Sequence, residues 1–332
     1  MTSLVLTLSE TLRYRGAIGQ WSWVLHRLSG LGVVLFLTLH VIDTSWSVFY
    51  PELYVRAIAS YQSPLFTIGE FGLVAAVVYH AYNGLRIVIF DYRPRWWKYQ
   101  QKGAYIVLVA TGLTLVPVFL LMFSHVLHYY EGNPQVLPLL DVIKEQLPFL
   151  VGFVVAGIAA VLLALITSPF IKEGGSKTQE RRIERFWWSF MRVSGALIVP
   201  LVFGHLIMMH VIQGVFDLTV AGHFVVGTDA QNVSGTAVEF VANRWNHLIG
   251  PVAIWRIYDL ALLGLVTLHG FNGLRLVLTD YTMSNKIARR AAVYLCVIGA
   301  VALLVVGGAA LLSTIEPQAI SLAEEAMRNL HH

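Results

Sequence analysis

YHAYNGLRIVIFDY, residues 79 to 92, returns almost letter for letter as LHGFNGLRLVLTDY, residues 268 to 281. Eight of the fourteen positions are identical, among them His80/His269, Asn83/Asn272, Gly84/Gly273, Arg86/Arg275 and Asp91/Asp280. A histidine, an arginine and an aspartate are thus carried twice inside stretches that are otherwise apolar. A duplicated polar pattern in such surroundings calls for a reason.

The chain is 57% hydrophobic and only 13% charged, with a mean hydropathy of +0.67. So much apolar surface cannot be hidden in one aqueous core, and long runs nearly free of charge belong in lipid. Seven such runs stand at about 24–48, 64–90, 104–126, 148–170, 189–216, 250–279 and 291–312. At 1.5 Å rise per residue each is long enough to cross about 30 Å of hydrocarbon. The first run follows the polar start TSLVLTLSETLRYRG and continues past signal-peptide length with an internal His40, so it reads as a retained span.

Lys and Arg in short loops resist translocation. Arg13 and Arg15, the RPRWWK segment with Lys102, the KEGGSKTQERRIER linker, and Lys286, Arg289 and Arg290 all fall on the side of the N-terminus, against Arg56, Lys144, Arg244 and Arg328 on the other. The N-terminus is expected in the cytoplasm and the C-terminus outside, in the plasma membrane of a prokaryote. The net charge of +4 then describes loop topology and contact with anionic lipid rather than nucleic-acid binding. A single Cys296 excludes intrachain disulfides and any cysteine-ligated zinc or iron–sulfur centre built by this chain alone.

The duplication reaches further. HRLSG at the first span is followed after ten residues by His40, and MRVSG at the fifth is followed after ten by His205. Arg27, Ser29, Gly30 and His40 therefore map onto Arg192, Ser194, Gly195 and His205. A three-span unit starts inside and ends outside, so a second copy in the same orientation needs one additional crossing, supplied by the uncharged fourth run PFLVGFVVAGIAAVLLALITSPF. The expected architecture is an all-α integral membrane protein of about seven transmembrane helices, with two parallel three-helix repeats, an extra linking helix and a four-helix haem-binding core. Its parts are a first repeat at 1–126, a linking helix and cytoplasmic loop at 127–188, a second repeat at 189–312 and an extracytoplasmic tail at 313–332.

An ionisable side chain at bilayer depth is costly and marks a functional site by default, although a single histidine can also serve packing. Counted from Trp23 or Trp188, His40 and His205 lie about 25 Å along their helices, and counted back from Asp91 or Asp280, His80 and His269 lie about 17 Å in. Two layers result, each with one imidazole from each repeat, as a six-coordinate iron between opposed axial ligands requires. Gly84 and Gly273, one turn beyond their histidines, leave room for a flat macrocycle, or equally for close helix packing. His26, Arg27 and Arg192 are candidates to neutralise haem propionates, or else ordinary positive-inside anchors. His210 is an alternative to His205, but its repeat partner is Ser45, so symmetry prefers His205.

Together, HRLSG with His40, YHAYNGLRIVIFDY, MRVSG with His205 and LHGFNGLRLVLTDY resemble the cytochrome b membrane anchor of succinate:quinone oxidoreductases and quinol:fumarate reductases, with both anchor subunits fused. The resemblance covers roughly residues 20–125 and 185–312. It implies a haem b on His80 and His269 and, as in the di-haem members, a second on His40 and His205. It also implies a quinone pocket at the cytoplasmic edge, with ubiquinone or menaquinone as substrate, at Arg27, Asp280 and Tyr281. Tyr281 can also be read as an aromatic-belt residue, and Tyr92 duplicates it. The family pattern is broken at the position three before His26, which holds Trp23 rather than Ser, with Ser22 one step off. Glu70 and Asp259 share a repeat position toward the outer side and are candidates for proton transfer or an outer quinone site, or are helix-start acids.

No flavin fingerprint or dicarboxylate site is present, so the chain cannot oxidise succinate itself. The resemblance assigns that step to a flavoprotein subunit and electron delivery to an iron–sulfur subunit, as part of the tricarboxylic acid cycle. Two other readings share some features: a di-haem cytochrome b serving another membrane dehydrogenase, and a haem-free transporter built from parallel repeats.

Overall fold

A computed structural model describes residues 17–132, 134, 136–170 and 177–330, with side chains described from residue 182 onward in the last of these stretches. The polar start at 2–16 with Arg13 and Arg15, and the linker residues 171–176, lie outside the described residues. In hydrocarbon every backbone polar group must be satisfied within its own segment, which leaves the helix as the solution for an apolar run of this length. The chain accordingly spans the membrane through α1 (Ile18–Phe49), α3 (Pro64–Tyr92), α4 (Gln100–Glu131), α6 (Leu147–Thr167), α7 (Lys177–Leu206), α9 (Ile254–Tyr281) and α10 (Lys286–Leu312). It is an all-α integral membrane protein.

Helices α1, α3, α7 and α9 form a closed four-helix ring, each packed on the next, with α4 against α3 and α10 against α9 and α1. These ring helices are the ones carrying the duplicated motifs. Helix α6 is apolar on every side, buries only Ala160 and Ala164, and lies at the rim against α10. Its end is tied there by Tyr294 donating to Thr167 Oγ1 at 2.8 Å and Arg290 donating to Ser168 Oγ at 2.7 Å. The end of the ring where α1 begins carries Arg93, Arg95, Lys98, Lys102, Arg289 and Arg290 and is called the basic face here.

The opposite end is covered by a cap. It comprises α2 (Pro51–Tyr61), a 3-10 turn at Val215–Thr219, α8 (Ala237–Asn246) and α11 (Pro317–Leu330), which share a core of Tyr54, Ile58, Leu218, Val238, Phe240 and Trp245. The short α5 (Leu139–Glu145) packs against α2 beside it. The sequence reading carried the fifth span to 216; the helix instead ends at Leu206, passes through a π turn at Ile207–Ile212 and stops at Gly214, whose φ of 76° suits glycine and breaks the run. The stretch read as a terminal tail forms α11 and contributes Ala323 to the cap core.

One side chain clamps the cap to the ring through four hydrogen bonds. Arg256, in the first turn of α9, donates to Trp245 O at 2.8 Å, Asn246 Oδ1 at 2.8 Å, Leu311 O at 2.5 Å and Ser313 O at 2.6 Å. Arg256→Met keeps the bulk and removes all four bonds, so a loss of at least ~2 kcal/mol is expected. Thermal unfolding of the detergent-solubilised protein reads this as a lowered melting temperature; an unchanged one would count against the clamp.

Candidate functional site: two layers of paired histidines

The duplicated motifs meet inside the ring. His80 on α3 faces Ser29 and Gly30 of α1, and His269 on α9 faces Ser194 and Gly195 of α7. Ser194 Oγ donates its only hydrogen to Phe190 O at 2.6 Å, so at 2.9 Å it can only accept from His269 Nδ1. His80 Nδ1 lies 3.1 Å from the His26 carbonyl, an obligate acceptor, and Ser29 Oγ donates to the same carbonyl. Both imidazoles therefore carry the proton on Nδ1 and keep the Nε2 lone pair, the arrangement that metal-ligating histidines adopt when a neighbour fixes their tautomer.

The glycines allow this approach. A Cβ at Gly30 would stand 2.8 Å from His80 Cε1, and one at Gly195 would stand 3.2 Å from His269 Cε1. In the sequence these glycines only mark the repeat; the contact that explains them runs between helices. A Cβ at Gly84 or Gly273 would meet only His26 at 3.7 Å or Met191 at 3.8 Å, ordinary van der Waals distances. His26 and Met191 occupy the same repeat position, and here the symmetry breaks. The His26 ring stacks on His80 at 4.0 Å with planes 9° apart, and its Nδ1 is buried without a hydrogen-bond partner.

Nearer the basic face the two halves cross. Arg27 of α1 pairs with Asp280 of α9, and Arg192 of α7 holds Asp91 of α3 through Nε at 2.9 Å and Nη2 at 2.7 Å. Each guanidinium lies over a tryptophan four residues earlier, Trp23 at 4.0 Å and Trp188 at 4.4 Å. This accounts for Trp23 where the resemblance led one to look for serine. Ser22 is buried and donates to Asn83 Oδ1 at 2.8 Å, which ties α1 to α3. The Asp280 side chain is 49% exposed and that of Asp91 only 15%, so the first pair is the more accessible.

The second layer lies toward the cap. His40 and His205 approach with ring centroids 6.0 Å apart and planes at 76°. An imidazole nitrogen sits about 2 Å from a transition metal, which puts the ring centres of two opposed axial ligands roughly 6 Å apart. His205 Nδ1 is buried with no partner. Among the described residues no three His, Cys, Asp or Glu converge, so a bare ion has no cage; a porphyrin, which brings four nitrogens of its own, needs only a pair. The spacing of His40 and His205 fits haem, and at the basic-face layer His80 and His269 each keep a free Nε2.

Around the second layer the structure adds partners that the sequence did not show. His210, on the π turn, takes Glu70 Oε1 at 2.7 Å on its Nδ1, so it is engaged elsewhere. Asp259 accepts from Trp245 Nε1 at 3.0 Å and leaves Oδ1 buried and unpartnered. The twin acids Glu70 and Asp259 thus have unlike surroundings. His125 pairs with Asp217 at 3.1 Å across a crevice that Glu70 and His210 also line, too tight to admit water. Asp43, three residues beyond His40, is 1% exposed with neither oxygen hydrogen-bonded. Burial and Asp43 together raise the Tyr54 phenol above its usual range. Asp43 has no acidic counterpart, since the matching position is Met208.

The family model described as succinate dehydrogenase/fumarate reductase transmembrane subunit matches residues 7–121 and again 177–307. The succinate dehydrogenase 2 membrane subunit SdhC of Mycobacterium tuberculosis is 36% identical over 118 residues, which is 36% of this chain and 87% of that protein. A succinate dehydrogenase hydrophobic membrane anchor subunit of Halobacterium salinarum is 32% identical over 106 residues, 31% of this chain and 81% of its own. No solved structure matches.

Proposed function

The chain belongs to the succinate dehydrogenase/fumarate reductase transmembrane subunit family, and from that premise we propose that it is a fused, two-repeat, di-haem anchor that passes electrons between its partner subunits and membrane quinone. The anchor role follows from the family itself. The relatives each match about a third of this chain while most of their own length is covered, which supports two anchor subunits joined at 1–126 and 189–312 by the stretch 127–188. The observation that carries the haem reading is the doubled Ser–His–Gly contact, which frees Nε2 on both His80 and His269. When bound, haem b supplies a one-electron carrier within the low-dielectric bundle.

The protein's residues then divide the work. His80 and His269 hold one haem, His40 and His205 the other, and His26 and Arg192 are propionate partners at the basic face. The His26 carbonyl, with Ser29 beside it, and Ser194 fix the tautomer and orientation of His80 and His269. Arg27 and Tyr281 donate hydrogen bonds to a quinone carbonyl, and Asp280 passes protons there, on the more accessible of the two arginine–aspartate pairs. Glu70 and Asp259 handle protons at the cap side. A flavoprotein and an iron–sulfur subunit dock on the basic face, which puts the N-terminus in the cytoplasm of a prokaryotic cell and the cap outside.

Tyr281→Phe in the assembled complex tests the quinone assignment. Losing one hydrogen bond to the substrate costs roughly 1–1.5 kcal/mol, so succinate:quinone activity is expected to fall about tenfold while succinate oxidation with an artificial dye is kept. Tyr92→Phe is the matched control. Unchanged quinone reduction in Tyr281→Phe, or an equal loss in both variants, would contradict the pocket.

A further inference from the structure

Two arginines join the cap to the ring, of which only Arg244 is buried, and they are used differently. Arg256 places its guanidinium among four oxygen acceptors. Arg244 on α8 is 4% exposed, yet it donates only to the Val226 carbonyl at 3.0 Å and, weakly, toward Met208 Sδ at 3.9 Å. Its plane lies over the Trp255 ring at 4.1 Å. A guanidinium has five N–H donors, so most of those on Arg244 have no partner among the described residues. Among the described residues no carboxylate comes within the 4.0 Å of an ion pair. Asp259 acts on it from beyond that distance, with one oxygen accepting from Trp245 and Oδ1 unpartnered.

A buried, unpaired cation is among the costliest features a protein can carry, and one with free donors points to an anion that completes it. Burial lowers the guanidinium pKa, with Asp259 and Tyr258 pulling the other way. Its position says where the anion lies. Met208 stands three residues beyond His205, so the guanidinium rests one turn from the second histidine layer, on the cap side. A haem carries two carboxylates on one edge, and an Arg fork matches carboxylate geometry. We infer that Arg244 is the counter-charge for a propionate of the haem held between His40 and His205, so that the cap is part of that cofactor's binding site. This rests on the two-layer reading proposed above.

The test is a potentiometric titration of the haem spectra in the purified complex, with haem stoichiometry measured on the same samples, for wild type, Arg244→Gln and Arg244→Lys. The cap-side haem is identified as the one lost in His40→Ala. Removing a buried positive charge favours the oxidised haem, so Arg244→Gln shifts that haem's reduction equilibrium by about tenfold toward oxidised, or ~59 mV lower for a one-electron couple. Arg244→Lys keeps the charge and retains most of the wild-type potential, while the other haem stays unmoved. Two haems with unaltered potentials in Arg244→Gln would overturn the assignment and leave the two-layer reading standing. A wild-type complex without a cap-side haem would overturn both. If Arg244→Gln fails to assemble, the comparison passes to Arg244→Lys, where a retained cap-side haem with a small downward shift confined to it supports the contact and a drop shared equally by both haems opposes it.

Discussion

His80→Ala or His269→Ala is expected to leave the complex with one haem per chain instead of two, and His40→Ala or His205→Ala to remove the other one. Each haem in this account is held by one histidine from each half of the chain, so either partner of a pair is indispensable to its own layer and irrelevant to the second. The two imidazoles at the basic face are held in the ligating tautomer independently, His80 by the His26 carbonyl on α1 and His269 by Ser194 on α7, and nothing else in the described structure offers a replacement ligand at that depth except His26, which stacks on His80. Optical spectra and haem content of the four variants check this. Loss of both haems in every variant would instead mean that the ring collapses as a unit, and no loss in any would remove the histidines from the ligand set.

Gly30→Val should act like His80→Ala without touching a ligand. A Cβ at this position lies 2.8 Å from His80 Cε1, and the imidazole cannot retreat while its Nδ1 is bound to the His26 carbonyl. Real Cβ atoms do not come that close, so either α1 and α3 separate or the ring leaves its place, and both disturb the Nε2 direction. Gly32→Ala, two residues along the same helix, meets nothing within 4 Å and should keep both haems. The corresponding Gly195→Val starts from 3.2 Å and is expected to be milder. Haem content of the three variants is the readout. Retention of the basic-face haem in Gly30→Val would contradict the packing argument.

Much of this was legible in the letters because lipid imposes simple rules. Apolar runs had to be helices, and the seven runs agree with the seven spans to within a few residues at most ends. The cap was not legible. Its helices are short and separated by turns, and its core is assembled from residues as distant as Tyr54, Val238 and Ala323, which no local period connects. In the site, repetition singles out His40, His80, His205 and His269, which all stand on the four ring helices. It also discarded whatever occurs once. Asp43 and Arg244 have no charged twin, and His125 finds Asp217 only through the fold. The cross-pairing of Arg27 with Asp280 and Arg192 with Asp91 was likewise invisible, since it depends on which ring helices are neighbours rather than on spacing within one copy.

The measurement that bears most directly on the two-layer reading is a pyridine haemochrome assay on the wild-type complex, purified with its partner subunits and normalised to this chain. Two haems b per chain are expected, one for each histidine pair. One haem would confine the reading to a single layer, and a haem-free complex would contradict it altogether.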